Sequence, residues 1–246
     1  MTTQLYDDGL GTGYHELRQP DPRLRAAIHR ALGPARSIAN IGAGAGSYEP
    51  EGPGVVAVEP SETMIRQRRR TGRVIRAHGE QLPFATDSFD AALAILTVHH
   101  WRDPIRGLEE MRRVARGRVA VFTWDPAAPG FWLTERYFPE VLEIDRRIFP
   151  TLEEFAKALG PVQVTPVEIP HDCIDGFLGA YWRRPFSYLD SGVRAAISTF
   201  AKIRGVESGL ARLARELETG VWQERFGRLR FRESLDLGYR LVVANL

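Results

Sequence analysis

Apolar positions in this chain recur first at helical spacing and then in short continuous runs. Leu24, Ala27, Ile28, Ala31 and Leu32 fall on one face of a helix. Asp21 can cap that helix, Pro22 sits at its first position and Gly33 ends it. Residues 37–41 form a short apolar run that enters Gly42-Ala43-Gly44-Ala45-Gly46, the pattern of a buried strand closed by a glycine turn. Residues 55–58, 74–76, 91–96 and 119–123 read as four more buried strands. Ser61 opens a helix that runs through Arg70 and stops at Gly72. Asp103-Pro104 opens another, with Ile105, Leu108, Met111 and Ala115 inward and Gly117 as its end.

Strand and helix therefore alternate about every 20 residues through the first half, which predicts parallel strands with helices on both faces. After Asp125 the rhythm changes. Thr151-x-x-Glu154 is a capping box opening a helix through Leu159. Residues 162–169 read as a sixth strand despite Pro166, residues 174–235 as mostly helical, and residues 239–244 as a final strand. The expected fold is α/β: a doubly wound, mostly parallel seven-stranded sheet, Rossmann-like, with its last strand antiparallel and a helical cap inserted before that strand. One domain spans residues 1–246, with an N-terminal lid segment at 1–20 and the cap and substrate insertion at 171–235.

Composition narrows the chemistry. The 246 residues are 43% hydrophobic and 26% charged, which excludes a disordered or fibrous chain. Lys plus Arg number 33 against 31 Asp plus Glu, and the resulting +2 argues against nucleic acid or an anionic membrane as partner. Arg66, Arg68, Arg69, Arg70, Arg73 and Arg76 lack interleaved aromatic residues and read as a solvated face. The single cysteine, Cys173, excludes an intrachain disulfide and a cysteine zinc site, and no His, Cys and carboxylate grouping has metal-ligand spacing. Apolar runs such as 91–98 fall far short of a membrane span, and the N-terminus carries no secretion pattern. A cytoplasmic protein without membrane association is expected.

The glycines at 42, 44 and 46 let a backbone turn sharply and approach a ligand closely. A nicotinamide-nucleotide fingerprint needs glycine at 47, where Ser47 stands. Glu59, at the end of the second strand and 17 residues after Gly42, is placed to accept two hydrogen bonds from a ribose diol. The plainer readings are a tight turn and a solvent-exposed carboxylate.

Four stretches, IANIGAGAGSYEP, VVAVEPSETM, AHGEQLPFATDSFDAALAILTVHHW and DPIRGLEEMRRVARGRVAVFTW, follow one another within residues 6–124. In that combination the sequence resembles the class I S-adenosylmethionine-dependent methyltransferases of the type 11, ubiquinone/menaquinone-biosynthesis-like group. After Asp125 the likeness is loose. The resemblance implies S-adenosyl-L-methionine as cofactor, S-adenosyl-L-homocysteine as product and a small-molecule acceptor. It lays Gly42, Ala43 and Gly44 along the methionine part, sets Glu59 on the ribose hydroxyls and packs Pro60 and Met64 near the adenine. It puts His78, Gly79 and Glu80 at the adenine edge and the backbone of Ala94 and Ile95 at the cofactor's ammonium. Tyr14 and Arg18 match a segment that closes over its carboxylate. The chain departs from the family pattern at Asn40 and His78, where acidic residues are common. Only eight residues separate Gly46 from Val55, which cuts the helix after the glycine loop to about a turn.

Methyl transfer from a sulfonium is an in-line displacement with a neutral thioether leaving, so the protein has to align, exclude water and remove a proton where the acceptor carries one. Candidates beyond the strand ends are His99, His100 and Trp101, then Trp124 and Asp125. Either histidine could act as a general base, and neighbours on an extended chain place one in the cleft and one against the core. A structural or cofactor-loop role is the alternative. Phe177, Tyr181, Trp182, Phe186 and Tyr188 either offer a wall to an apolar or aromatic acceptor or pack the cap onto the sheet. A cofactor-binding protein without transfer activity stays open as the alternative function, and oligomeric state is left undetermined.

Overall fold

A computed structural model describes residues 18–68, 72–203 and 205–246. Tyr14, most of the expected lid segment and Arg69 and Arg70 lie outside the described residues. Helix α1 (Pro22–Ala31) starts where Asp21 accepts the Arg23 backbone N–H, and it buries Leu24 and Ile28. Strands β1 (Ile38–Ile41), β2 (Val55–Val58), β3 (Arg73–Ile75), β4 (Phe89–Ile95) and β5 (Ala115–Trp124) pair in parallel. Later strands β6 (Val162–Pro166) and β9 (Tyr239–Asn245) complete a seven-stranded sheet in the order β3-β2-β1-β4-β5-β9-β6. β9 runs antiparallel to both its neighbours. The strand order reverses between β1 and β4, and that switch point opens a crevice at the carboxyl ends of the strands.

Alternation along each strand divides the core into two faces. Leu93 of β4 and Ala120, Phe122 and Trp124 of β5 join the α1 side. Ala92, Ala94, Val119 and Val121 join α3 (Pro104–Val114) and α5 (Leu152–Leu159) on the other. Both bonds of the Thr151–Glu154 capping box are present at the start of α5.

Four expectations need correction. Ser61 caps α2 as expected, but α2 covers only Glu62–Arg66. α3 ends at Val114, because Ala115 already pairs with Phe89. Gly117 therefore lies inside β5, where a Cβ would stand 3.0 Å from the Asp90 carbonyl oxygen. No helical turn follows the glycine loop: residues 46–54 stay in turns and bends. The expected sixth strand splits into β6 and β7 (Ile169–Pro170), and β7 pairs with β8 (Ser234–Leu235), so two residues expected to be helical form a strand.

The β7–β8 ribbon stands at the neck of the segment expected as the cap. Beyond it lie α6 (Ser191–Ala195), α7 (Val206–Glu218), α8 (Val221–Phe226) and four short 3-10 turns. This segment shares the α1-side core rather than building its own. The π-helical turn Leu133–Tyr137 and α4 (Pro139–Ile148), both from the long connection after β5, supply the opposing surface. Trp132 is its pivot: its ring meets Tyr137, Tyr188 and Trp222 edge-on at 5.4–5.8 Å. Its indole N–H donates to the Trp182 carbonyl at 3.0 Å. Glu216 of α7 accepts from Arg136 and from the Tyr137 hydroxyl, and the Arg136 guanidinium pulls its carboxyl down to about 2. Trp132→Ala is expected to destabilise the protein by about 3–5 kcal/mol through the cavity it leaves; denaturant unfolding followed by fluorescence measures it.

Candidate functional site

The crevice at the switch point is a cavity of about 480 Å³. One wall comes from the ends of the parallel strands, the other from α4 and the segment 177–199. Glycine is required where the first wall begins. Gly42 has φ of 67°, and a Cβ there would stand 2.1 Å from Thr97 Oγ1. Gly44 has φ of 51°, and a Cβ there would stand 3.3 Å from Met64 Cε. Neither position admits a side chain without strain.

Glu59 leaves the end of β2 with its carboxylate inside the crevice. Oε2 accepts the Gly44 N–H at 2.8 Å and Oε1 accepts the Ser61 N–H at 2.9 Å. A carboxylate accepts about four hydrogen bonds, and these two fix its plane. The side chain is 7% exposed, so it is neither a strand-end ornament nor a sealed core group. Pro60 and Met64 line the wall beside it.

Behind the loop, Asn40 Nδ2 donates to Glu49 Oε2 at 2.8 Å, and Glu49 pairs with Arg68, whose guanidinium also donates to the Gly44 carbonyl at 3.1 Å. Arg68 is buried, which overturns the solvated reading at that position of the basic run. The chain replaces a helix after the glycine loop by this buried pair. The sequence showed the short gap, but nothing in residue spacing tied residue 49 to residue 68.

His78, Gly79 and Glu80 also line the cavity. Glu80 Oε1 accepts the Arg102 N–H at 2.7 Å, which secures the loop after β4. The Trp101 indole lies between Gly79 and Gly107, where Cβ atoms would come within 2.9 and 2.3 Å of it. At the end of β4, Ile95, Leu96 and Thr97 reach the wall, whereas the Ala94 side chain is buried on the opposite face. Leu96 takes φ of 48° as the chain leaves the sheet.

His99 and His100 lie on a 3-10 turn, Val98–His100, rather than on extended chain, so both reach the cavity. His99 stacks on Phe149 with centroids 4.0 Å apart. Its Nδ1 meets no hydrogen-bond partner among the described residues. Burial, with the neighbouring His100 and Lys202, lowers its pKa well below the usual histidine range. Burial, Lys202 and Arg18 push His100 down to about 3. Both imidazoles are neutral near pH 7. Trp101 and Trp124 join this wall, but Asp125 does not: it caps a turn at Ala127. His171 lies near Glu233, outside the cavity.

Arg18 enters the wall as an arm held by Asp175, its Nε 2.6 Å from Oδ1. The Tyr48 hydroxyl donates to the other oxygen of Asp175 at 2.8 Å. Of the aromatic run at 177–188, Phe177 alone lines the cavity; Tyr181, Trp182 and Tyr188 are buried in the core and Phe186 is exposed.

Sequence reasoning missed Asp145. It is 1% exposed, on α4, in the cavity wall, and neither carboxylate oxygen has a hydrogen-bond partner among the described residues. Burial raises it to about 7, against a lowering by Lys202. The available signal was periodicity: Val141, Asp145 and Ile148 share a helix face, so an acid sits on an apolar stripe. Among the described residues no group of three or more His, Cys, Asp or Glu could hold a metal ion, and no helix is long and apolar enough to cross a membrane.

A family described as a methyltransferase domain matches residues 39–122. A 2-methyl-6-phytyl-1,4-hydroquinone methyltransferase 2 of Oryza sativa, chloroplastic, is 37% identical over 83 residues, 33% of this chain. That match spans about a fifth (22%) of the rice protein. Over nearly the whole chain, the similarity is to a solved Anabaena variabilis protein described as a "Putative methyltransferase from antibiotic biosynthesis pathway". It is 34% identical with a TM-score of 0.85, covering 94% of this chain and 100% of that one. Phosphoethanolamine N-methyltransferase 2 of Haemonchus contortus, solved with S-adenosyl-L-methionine, shares the fold at 13% identity and a TM-score of 0.61, covering 100% of this chain and 60% of that one.

The buried groups predict a pH dependence. His99 and His100 have lowered pKa values in the folded state, so their contribution is complete above the unfolded value of 6.5 and is lost as pH falls. Asp145 is raised from 3.8 to about 7, so its contribution is complete below 3.8 and is lost as pH rises through about 7. Between about pH 6.5 and 4.5 two protons favour the unfolded state and one the folded state, a net slope of roughly 1.4 kcal/mol per pH unit at full effect. Thermal melts across this range should show His100→Asn flattening the acid-side loss and Asp145→Asn steepening it.

Proposed function

We propose that this chain, which belongs to the class I S-adenosylmethionine-dependent methyltransferases of the type 11 group, methylates a small-molecule acceptor in the cavity between its glycine loop and the segment 177–199. The observation that carries the reading is the Glu59 carboxylate, buried, fixed by two backbone N–H groups and turned toward the space beside Gly44. A carboxylate at this place in the cavity wall suits the two adjacent hydroxyls of a ribose. The glycines at 42 and 44 let the loop backbone pack against Thr97 and Met64, where a Cβ would crowd them, and present bare backbone at the cavity wall to a ligand's amino acid portion. Arg18, held by Asp175, supplies a cation for a carboxylate. His78, Gly79, Met64 and the edge of Trp101 offer a slot for a flat base.

When bound, S-adenosylmethionine supplies a methyl group activated on a sulfonium. The residues of this chain then have three tasks. Glu59 and Arg18 hold the donor at both ends. Thr97, His99 and His100 close the space at the end of β4 as neutral, largely dehydrated groups, which keeps water from the reacting centre. Phe149, Phe177, Leu178 and Ile197 form an apolar opposing wall that orients an apolar or aromatic acceptor. His100 at about 3 is a weak proton acceptor, so we assign it and His99 to positioning rather than to general base catalysis.

Titration calorimetry with S-adenosylmethionine and S-adenosylhomocysteine tests the reading. Both should bind, and Glu59→Gln should weaken both by about 10- to 100-fold, because a hydrogen bond to a charged acceptor contributes roughly 1.5–3 kcal/mol. Failure of the unmodified protein to bind either compound would overturn the proposal. Binding with no methyl transfer to any acceptor in a broad panel would leave a cofactor-binding protein without transfer activity.

A further inference from the structure

We propose that Asp145 binds the acceptor directly and takes its proton, and that the acceptor is a hydroxyl carried on a flat apolar body. This inference rests on the methyltransferase reading and goes beyond it by naming the acceptor chemistry. Three observations converge. The first is that a carboxyl group with 1% exposure, neither oxygen of which has a hydrogen-bond partner among the described residues, carries a cost that a protein ordinarily relieves by pairing. Nothing on α4 or on the described elements around it relieves that cost by a hydrogen bond.

The second observation is position. Asp145 belongs to the wall opposite the strand ends that carry Gly42 and Glu59, in the same cavity. A group bound to Asp145 therefore lies across the space from the glycine loop. The third is surroundings. Phe149, Phe177, Ile148 and Ile197 line the cavity with it, and His99 presents a ring stacked on Phe149. Such walls accept a planar apolar molecule, while one carboxylate fixes its polar edge. Lys202 acts on Asp145 from beside the cavity; Tyr239, His99, His100, Arg18 and, on α4 itself, Arg147 line the cavity with it, as do Tyr48, Glu59, His78, Glu80 and Arg102 along the loops after β1, β2, β3 and β4. The Tyr239 hydroxyl is already engaged, accepting from the Gly179 N–H at 3.1 Å. His100 at about 3 is too acidic when protonated to hold the proton of an incoming hydroxyl. Asp145 at about 7 is better matched to a phenolic hydroxyl, which titrates near 10.

The step balances without further reagents. The O–H bond of the acceptor breaks and its proton passes to the Asp145 carboxylate. The oxygen's electron pair forms the new O–CH₃ bond. The S–CH₃ bond breaks and its pair stays on sulfur, giving neutral S-adenosylhomocysteine. The sulfonium charge and the carboxylate charge disappear together, and Asp145 returns its proton to solvent after product leaves.

The test uses the full chain with 2-naphthol and its hydroxyl-free counterpart 2-methoxynaphthalene. With the protein saturated by S-adenosylhomocysteine, 2-naphthol should bind at least tenfold more tightly than 2-methoxynaphthalene by calorimetry. Asp145→Asn should abolish that preference. It should also lower methyl transfer from labelled S-adenosylmethionine to 2-naphthol by about 10²–10⁴-fold, the range for a lost general base, and remove the limb of the pH–rate profile near 7. S-Adenosylmethionine affinity should stay within threefold, and the melting temperature at pH 8 should not fall. Equal binding of the two probes, no binding of either, or unchanged transfer by Asp145→Asn would overturn the inference. A variant that melts lower at pH 8 and keeps the probe preference marks Asp145 as structural and also overturns it. In each case retained S-adenosylmethionine binding leaves the broader reading standing, whereas loss of that binding in the unmodified protein sinks the reading itself.

Discussion

The site depends on one buried carboxylate. Glu59 joins the glycine loop to the start of α2 by accepting from Gly44 and Ser61 at once. The loop has no helix behind it to hold its shape. The structure meets that deficit twice, with Glu59 in front and with the Asn40–Glu49–Arg68 network behind. A buried ion pair is a poor source of net stability, but removing one partner leaves an uncompensated charge and is strongly destabilising. It therefore serves well as a fixed geometric brace. On the proposed reading, the carboxylate that shapes the glycine loop is also the one that would take a sugar diol, so shape and recognition would be one interaction.

The second wall follows a different logic. It is built from α4 and the segment 177–199, which fold onto the α1-side face through Trp132 and its aromatic neighbours. Desolvation there moves the titratable groups around the cavity far from their ordinary values: His99 and His100 downward, Asp145 upward. Dehydration strengthens any charge that acts within the cavity. It also explains why a histidine pair that looks reactive in sequence is electrostatically quiet, while an acid that looks unremarkable is placed to titrate near neutrality. Many unrelated activities share this kind of sheet. The identity of the groups on this wall, rather than the fold, is what separates them.

Elements with strong local signals were legible in advance. The Asp21-Pro22 start of α1, the Thr151–Glu154 box of α5 and the strand at 55–58 all stand where the pattern put them. The misreadings share one cause. Gly117 has the local signature of a helix stop because glycine usually ends helices, yet pairing of Phe89 with Ala115 draws the chain into β5 two residues earlier. The pattern of residues 162–169 predicts one continuous strand, yet Ile169 pairs with Leu235, 66 residues away. Both outcomes were decided by a long-range ladder that no local window contains.

The sequence by itself determined the α/β order, the glycine turn, the acid at the end of β2 and the family resemblance, because each is written in residues near one another along the chain. The tertiary structure alone decided that Arg68 is buried beneath the loop, that both histidines reach the cavity and that Asp145 lines the same cavity as Glu59 with no hydrogen-bond partner among the described residues. Those facts depend on how distant segments meet and exclude water, and pairing, burial and pKa are properties of that meeting rather than of residue type.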